Sequence, residues 1–173
     1  MQHTTSIVLM LSPSEQVILR NFAELLKSGI QKAIKTKKVT KFGAVNSSGR
    51  LHDSVEIRYT ENGFQILAND YITGLIWGVR PGESTATIGQ ISRWIDEKPI
   101  QSSLPNNTLA ALIVRKQMKE GNMIWRTHKG ANSGLLEDAL SDDKFDNFIE
   151  LLASQSVTEL TDKIVESFDL KLA

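Results

Sequence analysis

The side chains that most often carry catalysis or bind metals are few in this chain and stand far apart. Its three histidines are His3, His52 and His128, and none has a second histidine at the spacing of a helical metal site. His52 precedes Asp53, but we expect both on a strand, where neighbours point to opposite faces and cannot bind one ion. The chain has no cysteine, which excludes thiolate ligands and disulfides. The sequence therefore predicts no metal site.

Motifs for nucleotide binding or hydrolysis are also absent from the sequence. There is no Walker A motif, no Gly-x-Ser-x-Gly and no His-Glu-x-x-His. Gly130 to Gly134 lacks the strand before it and the helix after it that a phosphate loop requires, so we interpret it as a flexible connection. The carboxylate pairs Asp96-Glu97 and Asp142-Asp143 lie at expected helix ends, where capping or solvation explains them. We expect no enzymatic activity and no cofactor.

The composition is that of an ordinary globular protein. The chain has 173 residues, of which 40% are hydrophobic and 23% charged, and this length favours a single domain over residues 1–173. The apolar run near the N-terminus, Ile7 to Leu11, is far shorter than a bilayer span and lacks the flanks of a signal peptide. We therefore expect no membrane association.

Charge is unevenly distributed although the net charge is zero. Between Glu24 and Asp53 there are seven basic residues and no acidic ones, whereas Glu137 to Asp169 holds ten acidic and two basic residues. These regions could be two solvated helical faces of opposite sign. They could also be complementary, with the basic region of one subunit facing the acidic helix of the next. Zero net charge favours complementarity over a general nucleic-acid binder.

The first element that the sequence predicts is an N-terminal helix. Ser12 is a capping residue, Pro13 suits the first helical position and Glu15 completes a capping box. Apolar residues then recur at three- and four-residue spacing to about Lys35. Residues 37 to 49 have no such period and are predicted to form a mobile basic loop.

A β-hairpin is predicted next. Alternating apolar residues indicate a first strand from Leu51 to Tyr59, and Phe64 to Ala68 resumes the alternation in a second strand. Asn62-Gly63 between them suits a tight turn with a positive φ. A valine at Gly63 should then cost about 1 to 3 kcal/mol.

Further helices are predicted after the hairpin. Tyr71 to Gly78 fits a helical turn or a short strand, and the sequence leaves both open. Thr87 can cap a short helix that Pro99 ends. Asn107 can cap another helix, with Gly121 as its stop.

The C-terminal part of the chain is predicted to complete the fold. Met123 to Trp125 is typical of a short strand that could join the hairpin, with Trp125 packing on the sheet. Ser141 marks the start of a last helix, which Ser154 to Ser156 could interrupt. The apolar set of that helix is Phe145, Phe148, Ile149, Leu152, Leu160, Ile164, Val165 and Phe168. The predicted fold class is α+β, a small antiparallel sheet built on the hairpin and packed by the N-terminal and C-terminal helices.

The order of short motifs resembles that of bacteriophage tail-completion and neck proteins, which include the Z-type minor tail proteins and related virion-morphogenesis proteins. The resemblance covers roughly Lys38 to Gly121, about half of the chain. Its motifs are Gly-x-Leu-x-x-Ser, Asn-x-Tyr, a Gly-containing turn, and an Ile-x-x-Trp-Ile helix followed by Lys-x-Ile. The matching residues are Gly49, Leu51 and Ser54, with Arg50 as the basic residue between the first two; Asn69 and Tyr71; Gly78, Pro81 and Gly82; and Ile91, Trp94, Ile95, Lys98 and Ile100. The chain departs from the family at Ile72, where alanine is usual, and at Ile76-Trp77, where the family has a carboxylate.

The resemblance implies a structural virion protein that is made in the host bacterial cytoplasm and forms part of a ring at the head-tail junction. Its implied partners are copies of itself and neck, tail-terminator or tail-tube proteins, with packaged DNA passing through the lumen without specific binding. The expected protein-interaction residues are Lys37, Lys38, Lys41, Arg50, Trp77 and Arg80. Trp77 could equally be a core residue, whereas Trp94 is expected in the core. The alternative function is a monomeric binding module that uses the basic loop, Lys37 to Arg50, for nucleic acid or an acidic partner.

Overall fold

The computed structural model describes residues 11–38, 49–60, 63–83, 86–98, 100 and 102–172, with side chains to residue 167. Within these residues the chain forms seven helices and one antiparallel hairpin. The elements are α1 (Pro13–Thr36), α2 (Arg50–Asp53), β1 (Glu56–Thr60), β2 (Gly63–Leu67), α3 (Ile72–Ile76), α4 (Ile88–Glu97), α5 (Asn106–Glu120), α6 (Met123–His128) and α7 (Asp142–Leu172). The predicted α+β class is confirmed, since the N-terminal and C-terminal helices flank the hairpin.

Helix α1 begins and ends close to where the sequence predicts. The Ser12 hydroxyl accepts a hydrogen bond from the Glu15 amide at 3.2 Å, and the Glu15 carboxylate accepts one from the Ser12 amide at 2.8 Å. This capping box satisfies two amide donors that a helix start otherwise leaves without partners. The helix buries one stripe, made of Phe22, Ala23, Leu26, Ile30, Ala33 and Ile34.

The hairpin is shorter than predicted because its first strand begins five residues later. Arg50–Asp53 forms a helical turn, and strand β1 starts only at Glu56. Leu51 and Val55 are both buried, with 3% and 2% of their surface exposed. Residues four apart share a face in a helix and in a strand alike, so the apolar pattern could not distinguish the two. The helical turn also brings His52 Nδ1 within 2.8 Å of Asp53 Oδ1, which corrects the prediction that they point apart.

The predicted positive φ at Gly63 is wrong. Gly63 pairs with Thr60 as the first residue of β2, and its φ lies outside the left-handed region. In the described part of the chain, a Cβ atom there would meet only the Thr60 hydroxyl, at 3.8 Å. The predicted strain from a valine at this position therefore has no basis. Asn62, the other predicted turn residue, lies outside the described residues.

Two segments that the sequence left open or assigned to a strand are helical. Tyr71 to Gly78 contains α3, and Met123 to Trp125, predicted to be a strand, begins α6. The side chain of Asn122 accepts a hydrogen bond from the Trp125 amide at 2.8 Å and so caps α6. Three apolar residues in a row carry no period, so this cap decides the outcome.

The remaining helices follow their sequence signals with small shifts. Thr87 caps α4 in a capping box, and Gly121 ends α5 with a φ of +79°. Helix α5 begins at Asn106, after Pro105, two residues earlier than its predicted cap, Asn107, would place it. The predicted interruption of α7 at Ser154 to Ser156 does not occur. The Ser154 hydroxyl donates to the Glu150 carbonyl four residues earlier, so the helix satisfies it internally, whereas the Ser156 hydroxyl donates to Glu15 of α1.

The two long helices and the hairpin meet around one aromatic residue of α1. The ring of Phe22 is stacked on that of Phe148 in α7, with centroids 4.1 Å apart and planes 8° apart. Phe145 of α7 and Phe64 of β2 approach the same ring edge-on, at 5.3 Å and 6.2 Å. Farther along α1, Ile34 packs with buried apolar residues from other elements, which are Leu51, Val55 and Ala139.

Candidate interaction surface

The two oppositely charged regions of the sequence meet within the chain itself. Lys37 Nζ lies 3.1 Å from Asp138 Oδ2 and 3.9 Å from Glu137 Oε2, between the end of α1 and the segment before α7. Lys38 is exposed, and Lys41 lies outside the described residues. Lys37 is therefore already paired with carboxylates of its own chain before any partner binds.

The other predicted interaction residues contact different elements of the fold. Arg50 Nη2 lies 3.0 Å and 3.3 Å from the two carboxylate oxygens of Glu97, which joins α2 to α4. The Arg80 guanidinium lies 5.5 Å from the centre of the Trp125 ring in α6. Trp77 is 51% exposed and extends from the end of α3. Among the described residues, no hydrogen bond, ion pair or ring contact joins these side chains to one another, but exposed Trp77 remains available to a partner.

Several residues that carry the resemblance to neck proteins lie together. The Ser54 hydroxyl donates to the Leu51 carbonyl at 2.8 Å and accepts from the Asn69 amide at 3.1 Å. The Asn69 side chain donates to the Arg50 carbonyl at 3.4 Å. Partial burial raises the pKa of the Tyr71 phenol, beside Asn69. These hydrogen bonds between the two motifs connect the turn before β1 to the segment after β2.

One glycine of the turn in the resemblance, Gly78, packs on a tryptophan together with two glycines from later segments. A Cβ on Gly78 would lie 2.5 Å from the Trp125 backbone nitrogen, and one on Gly121 or Gly130 would lie within 2.6 Å of the Trp125 ring. All three glycines have a positive φ. Trp125 therefore packs among glycines, which corrects its predicted position on the sheet. Trp94, expected in the core, is half-buried on α4.

Helices α1 and α7 are also joined by polar contacts at the start of α1. The Ser12 hydroxyl donates to Glu159 Oε1 at 2.7 Å, and the Ser156 hydroxyl donates to Glu15. The bond from Ser156 holds the pKa of Glu15 below its ordinary value, and the bond from Ser12 lowers the pKa of Glu159 in the same way. These contacts border a shallow groove of about 450 Å³ between the two helices.

The lowered pKa values predict a pH-dependent link between α1 and α7. The ordinary pKa of Glu15 is 4.5 and its folded value is lower, so the stabilisation is present above pH 4.5 and is lost as pH falls through the folded value. We expect Ser156→Ala to be less stable than the wild type at pH 7 and to converge with it in acid. Urea unfolding between pH 3 and pH 7 measures this difference.

Ser154→Ala is the matched control, because the Ser154 hydroxyl donates to the Glu150 carbonyl of the same helix and to no carboxylate shown in the structure. Its stability difference from the wild type should not change with pH. A pH-independent difference for Ser156→Ala as well would contradict the role of Glu15.

One face of α7 is apolar and exposed. Ile149, Val157 and Leu160 are 59%, 64% and 61% exposed. They lie about 100° to 180° around the helix from Phe148, which stacks on Phe22 of α1. This face, called the α7 stripe below, consists of Ile149, Ala153, Val157, Leu160 and Ile164.

The α7 stripe was not separated from the core-facing residues in the sequence prediction. Phe148 and Leu152 face α1, whereas Ile149 and Ala153 follow them by one position. The predicted apolar set joined Ile149, Leu160 and Ile164 of the stripe with the core-facing residues and omitted Ala153 and Val157. The angular separation of the two groups, about 100°, is visible in the sequence and is the signal that could have distinguished them.

Comparison with protein-family models, curated proteins and solved structures gave no match for this chain. Within the described part of the chain, no three His, Cys, Asp or Glu side chains are grouped so as to hold a metal ion. No helix among the described residues is both long enough and apolar enough to cross a membrane. The function is therefore inferred from the contacts and exposed surfaces of the chain.

Proposed function

We propose that this protein is a structural subunit of a bacteriophage particle and forms part of a ring at the head-tail junction. In that position it completes the tail and joins neighbouring neck or tail rings, and it turns over no substrate. The observation that supports the proposal is the contact between two of the motifs on which the resemblance to neck proteins rests, Gly-x-Leu-x-x-Ser and Asn-x-Tyr. The Ser54 hydroxyl accepts from the Asn69 amide, and the Asn69 side chain reaches the Arg50 carbonyl. The spacing that carries the resemblance thus corresponds to one structural unit.

The exposed apolar surface is a second support. A contiguous apolar face on a water-exposed helix favours a protein contact, because its burial removes apolar surface from water. The α7 stripe spans four turns of helix, from Ile149 to Ile164, and its residues are exposed in the isolated chain. A subunit of a ring requires such a surface, whereas a monomeric binding module does not.

The proposal predicts how charge reversal in the basic segment acts. We expect the triple variant, in which Lys37, Lys38 and Lys41 are all changed to Glu, to remain folded. Exposed ion pairs such as Lys37–Asp138 contribute about 1 kcal/mol or less to stability. The triple variant should enter assembling phage particles far less than the wild type, because charges at the edge of an interface set encounter and register. Quantitative detection of the subunit in purified particles measures this.

The control variant carries the same charge change elsewhere on the surface, at Lys116, Lys119 and Lys129, each changed to Glu. This variant should enter particles normally. A salt-titrated DNA-binding assay runs beside the incorporation assay. Normal incorporation of the first variant together with lost DNA binding would support the binding module instead. In that case the slope of affinity against salt would fall by about one unit per phosphate contact removed.

A further inference from the structure

We infer that neighbouring copies of this chain contact each other through the α7 stripe of one copy and the outer face of α1 in the next. The outer face of α1 is defined as Val17, Asn21, Leu25, Ser28 and Lys32, all of them exposed. Val17 and Leu25 are 56% and 50% exposed, on the side of α1 away from its buried stripe. The inference rests on the ring assembly proposed above and names the surfaces that form it.

The two faces have the same spacing when the helices run antiparallel. Along α1 from Lys32 back to Val17 the steps are four, three, four and four residues, and from Asp142 to Val157 of α7 they are the same. This is the spacing of a continuous seam between two packed helices. The facing pairs are Lys32 with Asp142, Ser28 with Asp146, Leu25 with Ile149, Asn21 with Ala153, and Val17 with Val157.

Charge selects the antiparallel direction. Lys32 and Lys35 are exposed near the end of α1, and Asp142 and Asp146 are exposed at the start of α7. The antiparallel register places these opposite charges together, whereas a parallel register with the same apolar pairs would separate them. Opposite charges at the edge of an apolar contact fix register and orientation.

Charge also favours a contact between unlike surfaces. Residues 142 to 167 of α7 contain seven acidic residues and two lysines. Two α7 helices packed on each other would therefore bring two acidic surfaces together. A contact between α7 of one copy and α1 of the next is heterologous, and repetition of a heterologous contact with the right rotation closes a ring.

The absence of cysteine from the chain permits a direct test by cross-linking. Leu25→Cys and Ile149→Cys are prepared as separate proteins, mixed at a concentration where light scattering shows that the wild type self-associates, and treated with a short bis-maleimide. We expect a cross-linked dimer in the mixture and little in either protein alone. Leu25→Cys mixed with Val157→Cys should give several-fold less, because Val157 lies about 12 Å farther along the helix.

A cross-link in Ile149→Cys alone, or equal yields in the two mixtures, would overturn the inferred contact and leave the proposed ring standing. If the wild type stays monomeric at all concentrations and with assembling particles, the ring and the contact both fail. As a second measurement, Ile149→Asn should weaken self-association about tenfold or more, by placing a polar group in the buried contact. Leu151→Asn is its control, since Leu151 is 58% exposed but lies off the stripe. An equal effect of both changes would also overturn the inference.

Discussion

Gly78→Ala is expected to lower the free energy of unfolding by about 2 to 5 kcal/mol. Gly78 has a φ of +79°, which costs an alanine about 1 to 2 kcal/mol. The new Cβ would also lie 2.5 Å from the Trp125 backbone nitrogen and 2.6 Å from its Cα. A rotamer change cannot relieve a clash with backbone, so α6 must move relative to the turn. Urea unfolding followed by circular dichroism measures the loss.

Gly82→Ala separates the two causes. Gly82 has a similar φ of +84°, but a Cβ atom there would have no neighbour within 4 Å among the described residues. Its cost should be about 1 to 2 kcal/mol, from the backbone conformation alone. The difference between the two variants then reports the close packing of Gly78 on Trp125. Equal losses would mean that this packing contributes nothing to stability.

Asn122→Ala is expected to cost about 2 to 4 kcal/mol. The Asn122 side-chain oxygen accepts from the Val79 amide at 3.0 Å and from the Trp125 amide at 2.8 Å, and its nitrogen donates to the Gly74 carbonyl at 3.1 Å. Alanine removes the cap of α6 and leaves two partly buried amides without this acceptor. The same urea unfolding measures the loss.

Asn122→Asp is the control for this position. Aspartate keeps the acceptor for both amides and suits the start of a helix, so only the bond to the Gly74 carbonyl is lost. Its cost should be about 1 kcal/mol. If aspartate is as damaging as alanine, the important bond is the one to Gly74, and the capping role assigned to Asn122 is wrong.

The elements with local start signals could be predicted closely from the sequence. Ser12, Pro13 and Glu15 define the start of α1 because a capping box is formed within one turn of chain. Thr87 at the start of α4 and Gly121 at the end of α5 act over similarly short distances. The hairpin pairing and the α+β class also follow from residue order, since alternation and helical spacing are local properties.

Where a segment lacks such local signals, its conformation depends on contacts with residues that are distant in the sequence. The spacing of Leu51 and Val55 fits a helical turn and a strand equally. Packing of both residues against Ile34 of α1 stabilises the helical turn. Asn122 caps α6 through the Trp125 amide, and the position of its side chain is fixed by bonds to Val79 and Gly74, more than forty residues earlier. Composition and period contain no information on such distant partners.

The candidate surface divides in the same way. The sequence by itself determined the opposite charges of its two regions and the apolar spacing of α1 and α7. Only the tertiary structure decided that Lys37 and Arg50 are engaged within the chain, by Asp138 and Glu97. It also decided which apolar face of α7 remains exposed, because Phe22 stacks on Phe148 and that contact sets the rotation of the helix. Spacing along a helix defines its faces, but burial of one face depends on a partner element distant in sequence.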